Sequence, residues 1–164
     1  MKSPPITERE FTALIKEHSR IINKVCFFYA TDKMPYDDLR QEIYMNLWLG
    51  IGQFRGDSKL STWVYRVAVN SALMAIRNYR SKLNTLPIDL CGNDMSSECD
   101  DAQREQLKAL YDIINTLRPI DKAIILLWLD EYPYDEIAEI MGIPRNTVAT
   151  KLHRIKHQLV NNSQ

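Results

Sequence analysis

Between Leu60 and Leu83 the sequence sets Trp63, Arg66, Asn70 and Arg77 at intervals of three, four and seven, so that on a helix an indole, a carboxamide and two guanidiniums share one side. Bases that have left a duplex need such a strip: a ring to stack on, an amide to read exposed edges, and positive charge for the phosphates. Large aromatics at helical spacing also build cores, and periodicity alone leaves Trp63 and Tyr65 open between the two uses. A second group lies one helix earlier. In Asp37-Asp38-Leu39-Arg40-Gln41-Glu42, Asp38 and Glu42 stand one turn apart with Gln41 beside them, a polar face suited to docking on a protein or simply to facing water.

The third group is Tyr134-Asp-Glu-Ile-Ala-Glu-Ile-Met-Gly-Ile-Pro-Arg-Asn-Thr-Val-Ala-Thr-Lys-Leu-His-Arg, whose spacing has a steric cause. Ala138 is small where two crossing helices must approach, Gly142 permits a left-handed turn, and Val148 with Leu152 fill the angle between them. Pro144 suits the start of the second helix, where a missing amide proton costs little. With Val148, Leu152, Ile155 and Leu159 inward, Thr147, Thr150, Lys151 and Arg154 are expected outward, and Arg145 and Asn146 sit at the amino end. That arrangement is what a major-groove recognition helix requires. The alternative is a plain helical hairpin with a solvated basic face, and the lack of any acid after Glu139 speaks against it. His153 and His157, one turn apart, resemble half a zinc site, but no Cys, Asp or Glu completes it and they read as phosphate-side or solvent residues.

The elements that must position these groups are helical. Glycine is rare, β-branched alternation is nearly absent, and apolar spacings of three and four dominate, which makes the chain all-α. Thr7 and Glu10 form a capping box at the head of a helix carrying one stripe from Phe11 to Cys26 and ending near Thr31. A second helix follows Pro35 with Leu39, Ile43, Leu47 and Ile51 inward; Gly50, Gly52 and Gly56 loosen its end and the next turn. The third spans about 60–83, with Leu60, Val64, Val67, Ala68, Ser71, Ala72, Ala75 and Ile76 inward. Further helices are expected at about 101–117, 120–129, 134–141 and 145–160, the first pair parted by Pro119. Residues 84–100 hold Pro87, Gly92, Asn93 and several Ser and Asp without any period, and read as a tether between domains 1–83 and 101–164.

Charge follows the same division. The chain is neutral, with 21 basic and 21 acidic residues, which opposes unaided coating of nucleic acid. Yet 64–83 carries only Arg66, Arg77, Arg80 and Lys82, and 142–164 only Arg145, Lys151, Arg154 and Lys156. Between them, Asp89, Asp94, Glu98, Asp100, Asp101 and Glu105 face the single Arg104. No signal peptide opens the sequence and no apolar run approaches a membrane span, so cytoplasm is the expected compartment. Cys26, Cys91 and Cys99 are odd in number and lack a CxxC pair, as reduced thiols would be. Phosphate-cradling loops, nucleophile motifs and metal clusters are all missing, so neither an enzyme nor a cofactor is expected.

Taken together, Asp38-Leu39-x-Gln41-Glu42, Phe54-Arg55-Gly56-Asp57-Ser58, Thr62-Trp63-x-Tyr65-Arg66-Val67-Ala68-x-Asn70 and Tyr134-x-Glu136-Ile137-Ala138 resemble the extracytoplasmic-function sigma factors of bacterial RNA polymerase, which keep conserved regions 2 and 4 only. The likeness covers about 11–83 and 101–159. It implies that Asp38, Leu39, Gln41 and Glu42 dock on the clamp coiled coil of the β′ subunit of core polymerase. It further implies that Phe54, Ser58, Trp63, Arg66, Val67, Asn70 and Arg77 open the −10 element and hold a flipped base. Arg145, Asn146, Thr147, Thr150, Lys151 and Arg154 would read the −35 duplex. Partners implied are core polymerase through the β′ clamp and the β flap, promoter DNA, and an anti-sigma protein covering both modules; the tether would lie in the polymerase RNA path. Pro133 stands where a capping Ser is usual, Asn146 where Gly is usual, and Ala149-Thr150-Lys151 where Lys-Ser-Arg is common, which bears on the −35 preference. Two other readings share the residues: a dimeric helix-turn-helix regulator acting without polymerase, and a helical adaptor that binds only protein.

Overall fold

The computed structural model describes residues 6–82 and 101–162, every element of which is helical. The tether expected over 84–100, with Cys91 and Cys99, lies outside the described residues, as do Leu83 and the first five. Contacts divide the chain into two units, Met1–Cys91 and Gly92–Gln164.

The first unit holds α1 (Glu8–Glu17), α2 (Ser19–Tyr29), α3 (Tyr36–Gly50), a single 3-10 turn (Ile51–Gln53) and α4 (Leu60–Lys82). The Thr7–Glu10 capping box forms in both directions: the Glu10 amide donates to Thr7 Oγ1 at 3.3 Å and the Thr7 amide to Glu10 Oε2 at 2.7 Å. The Thr7 amide and the Thr7 hydroxyl, which donates to the same Oε2 at 2.9 Å, hold the Glu10 carboxyl below its ordinary range. The apolar stripe from Phe11 to Cys26 is split, however, between two helices rather than laid along one. His18 interrupts it with φ −104° and ψ 16°. With the stripe broken at His18, α1 brings Phe11 edge-on to Trp48, centroids 4.9 Å apart, near the end of α3.

α2, α3 and α4 pack on one another around Ile22, Val25, Cys26, Leu39, Ile43, Leu47, Val64, Ala68 and Ala72, all buried. Each of the larger aliphatic side chains contributes about 1.5–3 kcal/mol by leaving water. Cys26 serves here as a small apolar group, burial pushing its thiol up to about 12. Tyr65 lies in this core at 1% exposure. Leu60, Val67, Ala75 and Ile76, expected inward, are only half-buried, while Val69 is buried instead.

The second unit comprises α5 (Asp101–Asn115), α6 (Pro119–Leu129), α7 (Tyr134–Met141) and α8 (Arg145–Asn162). Pro119 takes the first helical position of α6, where it removes an amide that has no intrahelical acceptor. From Lys122 to Leu127 every residue of α6 is buried, because α7 and α8 both pack against it. Lys122 is the polar member of that run; its Nζ donates to Asn115 Oδ1 at 3.0 Å, and burial draws the ammonium down to about 8.

Candidate nucleic-acid interface

On α3, Asp38 and Gln41 are exposed and Glu42 half-buried. Arg40, the cation in their midst, is folded back: its Nη2 donates to Asp37 Oδ1 at 2.8 Å and its guanidinium lies 5.6 Å above the Tyr36 ring. Asp38 and Glu42 are thereby left as the acidic features of this face. Leu39 does not share it. At 1% exposure it belongs to the core, on the inward face it shares with buried Ile43 and Leu47 at spacings of four, and it holds α3 in place. Sequence reasoning missed that Met45 and Leu49 are 50% and 61% exposed; the spacing 38, 42, 45, 49 was the available signal, and it places them on the same side as the acids. Beside Glu42 opens a cleft of about 410 Å³ lined among others by Tyr29, Lys33, Asn46, Met74 and Tyr79.

The α4 strip is assembled as its spacing predicts. Arg66, Asn70 and Arg77 are exposed and Trp63 half-buried. Trp63 meets Phe54 from the preceding segment, ring centroids 5.5 Å apart and planes tilted by 46°. Of the two aromatics that periodicity left open, Tyr65 is core and Trp63 is the ring at the surface. Ser58 and Val67 are half-buried. Beneath the strip, Asn46 Nδ2 donates to Ser71 Oγ at 2.9 Å and Ser71 Oγ donates to the Val67 carbonyl at 2.7 Å, tying α3 to α4. Of the three glycines expected to loosen this region, Gly56 takes positive φ (79°), but Gly50 is helical, with φ −88° and ψ −20°.

In the second unit α7 and α8 form a helix-turn-helix. Gly142 ends α7 in the left-handed conformation (φ 66°), and the Ile143 amide donates to the Ala138 carbonyl at 3.1 Å to close the turn. Pro144 caps α8 rather than opening it: its carbonyl accepts from Thr147 and Val148, at 3.0 and 3.2 Å. Val148, Leu152 and Ile155 are buried, whereas Arg145, Asn146, Thr150 and Arg154 are exposed. Arg145 is aimed by two neighbours that sequence reasoning missed, an ion pair of its Nε with Asp135 at 3.1 Å and the Tyr134 ring 5.5 Å away. Their place at the amino end of α7 was the available signal. Lys151 is not outward. Three residues after buried Val148 and next to Leu152, it stands at the flank of the buried arc, and its Nζ reaches Asp121 of α6 at 3.4 Å with both side chains largely covered. Thr147 is likewise half-buried. His153 and His157 are exposed with rings in edge contact at 4.6 Å.

Residues 14–82 match the family described as Sigma-70 region 2, and residues 107–159 that described as Sigma-70, region 4. The chain belongs to the Sigma-70 factors, of which it carries regions 2 and 4. It is 26% identical to the ECF RNA polymerase sigma-E factor of Haemophilus influenzae, over 96% of this chain and 89% of that one. Against the sigma factor SigW of Bacillus subtilis the identity is 28%, over 91% and 86%. The fold is that of the sigma factor RpoE solved with the anti-sigma factor NepR from Bartonella quintana, with a TM-score of 0.74 at 16% identity, covering 92% of this chain and 94% of that one. As a sigma factor the chain serves RNA polymerase in transcription initiation. The two Sigma-70 regions in one chain favour this reading over a regulator or an adaptor working without polymerase.

Proposed function

We propose that this sigma factor engages core polymerase through Asp38, Gln41 and Glu42 on the β′ clamp coiled coil, opens the −10 element on α4, and reads the −35 element as duplex with α8. The observation that carries the proposal is the α4 strip. Exposed Arg66, Asn70 and Arg77 run on from the Phe54–Trp63 pair, on a helix whose other side is locked into the core. A base leaving the stack meets a ring first, then an amide and positive charge, in a chain whose other unit carries a helix-turn-helix. Ser58 and Val67 border this surface.

On α8 the contacts to DNA fall to Arg145, Asn146, Thr147, Thr150 and Arg154, with Lys151 bracing the helix against α6. Docking on the β′ subunit is supported by the unbalanced acids of α3, extended by the apolar pair Met45 and Leu49. Region 4 meets the β flap, the tether of 84–100 follows the polymerase RNA path, and an anti-sigma protein holds the chain inactive in the cytoplasm. The solved relatives RpoE and CnrH are each in complex with such a protein or with its cytosolic domain. The chain brings no chemistry of its own.

Asn70→Ala tests the assignment. The variant is expected to bind core polymerase as the parent does and to lose open-complex formation, scored by permanganate reactivity of −10 thymines and by run-off transcription. Loss of polymerase binding, or open complexes at the parental level, would remove Asn70 from the melting surface.

A further inference from the structure

Gly50 closes α3 with φ −88° and ψ −20°, a conformation open to any residue, so backbone freedom is not why a glycine stands there. Space is. A Cβ placed on Gly50 would lie 3.2 Å from Cζ2 and 3.9 Å from Cη2 of the Trp63 indole, the first of them short of comfortable carbon–carbon contact. The room that the bare Cα of Gly50 leaves at the end of α3 goes to one ring. Only the 3-10 turn of Ile51–Gln53 separates this seat from Phe54, whose amide donates to the Ile51 carbonyl at 3.2 Å, and Phe54 is the ring that Trp63 touches.

We infer that Gly50 is a positioning residue for promoter opening: its bare Cα seats the Trp63 indole against the end of α3, fixing its angle to Phe54 so that the two rings form one platform for an unpaired base. The inference rests on the reading of α4 as the −10 surface and adds to it a residue outside that surface.

The test is a cycle of G50A, W63F and the double variant in the full chain. G50A is expected to stay folded and to bind core polymerase normally, yet to form open complexes about three- to tenfold less well. In the W63F background the alanine should make no further difference, because a phenyl ring lacks the outer atoms that the new methyl would strike. Parental promoter opening by G50A would overturn the inference. So would a G50A defect that persists undiminished in the W63F background, or a loss of folding that W63F does not relieve. Failure of the underlying reading looks different: W63A would then open the promoter as well as the parent, while near-ultraviolet circular dichroism of G50A still reports whether the indole has moved.

Discussion

Lys122 shows how a single side chain ties the carboxy-terminal unit to pH. It is 3% exposed within the run of α6 that α7 and α8 enclose, and burial lowers its ammonium from 10.5 to about 8. The unfolded chain therefore holds that proton more tightly than the folded one does. Below about pH 8 both states carry the charge and the fold bears the full desolvation cost; as pH climbs from about 8 towards 10.5 the folded ammonium neutralises first and stability rises, by at most about 1.4 kcal/mol per pH unit. Lys122→Met keeps the aliphatic stem and removes the charge. The variant is expected to be the more stable protein near pH 7, with an advantage that shrinks through this window in thermal melts. Parallel curves for parent and variant would mean that the ammonium is well solvated in the fold. The same residue marks a limit of sequence reading: a lysine inside an apolar run signals that something must accept its protons, but only packing reveals Asn115 as an acceptor.

At the scale of elements, the helices beginning at Tyr36, Leu60, Tyr134 and Arg145 were legible because apolar period and breakers agree there. The single helix expected from Thr7 to Thr31 failed for the opposite reason. Its stripe is continuous through His18, and the break becomes visible only in the packing, where α1 sets Phe11 against Trp48. Lys151 misled similarly, since its place at the flank of the buried arc matters only once Asp121 of another helix is known to be there. Turn chemistry was the more readable part, and it makes opposed predictions at two turns. Gly142 has φ 66° with no atom within 4 Å of an added Cβ, so Gly142→Ala should lose about 1–2 kcal/mol from backbone strain alone. Glu131, between α6 and α7, holds φ 64° without being glycine. Glu131→Gly relieves that strain, partly offset by the greater freedom of glycine in the unfolded chain, and should gain about 0.5–1 kcal/mol. Chemical denaturation of both variants decides it; a destabilised Glu131→Gly would show that the side chain holds the turn by contacts worth more than its strain.

Across the whole molecule the governing quantity is charge and where it lies. The sequence totals zero, and the structure reduces the free basic character of α8 further, since Arg145 is paired with Asp135, Lys151 with Asp121, and Lys156 sits 4.0 Å above the Trp128 ring. A chain so balanced has little long-range attraction for a polyanion, and under the proposed function it is polymerase that holds α4 and α8 at the promoter. Part of that balance lies in the stretch 84–100, whose sequence holds Asp89, Asp94, Glu98 and Asp100 and no lysine or arginine. Replacing the four by Asn and Gln leaves 21 basic residues against 17 acidic, a net charge of +4 from a start of zero. The isolated variant should then bind duplex of arbitrary sequence several-fold more tightly than the parent at low salt. The gain should fade near physiological ionic strength, where the screening length is about 8 Å, and transcription from a cognate promoter with core polymerase should change far less. Fluorescence anisotropy across a salt series separates the outcomes. If the neutralised chain gains nothing at low salt, the acids of this stretch are not what keeps the free protein off DNA, and the restraint lies in the ion pairs that already occupy α8.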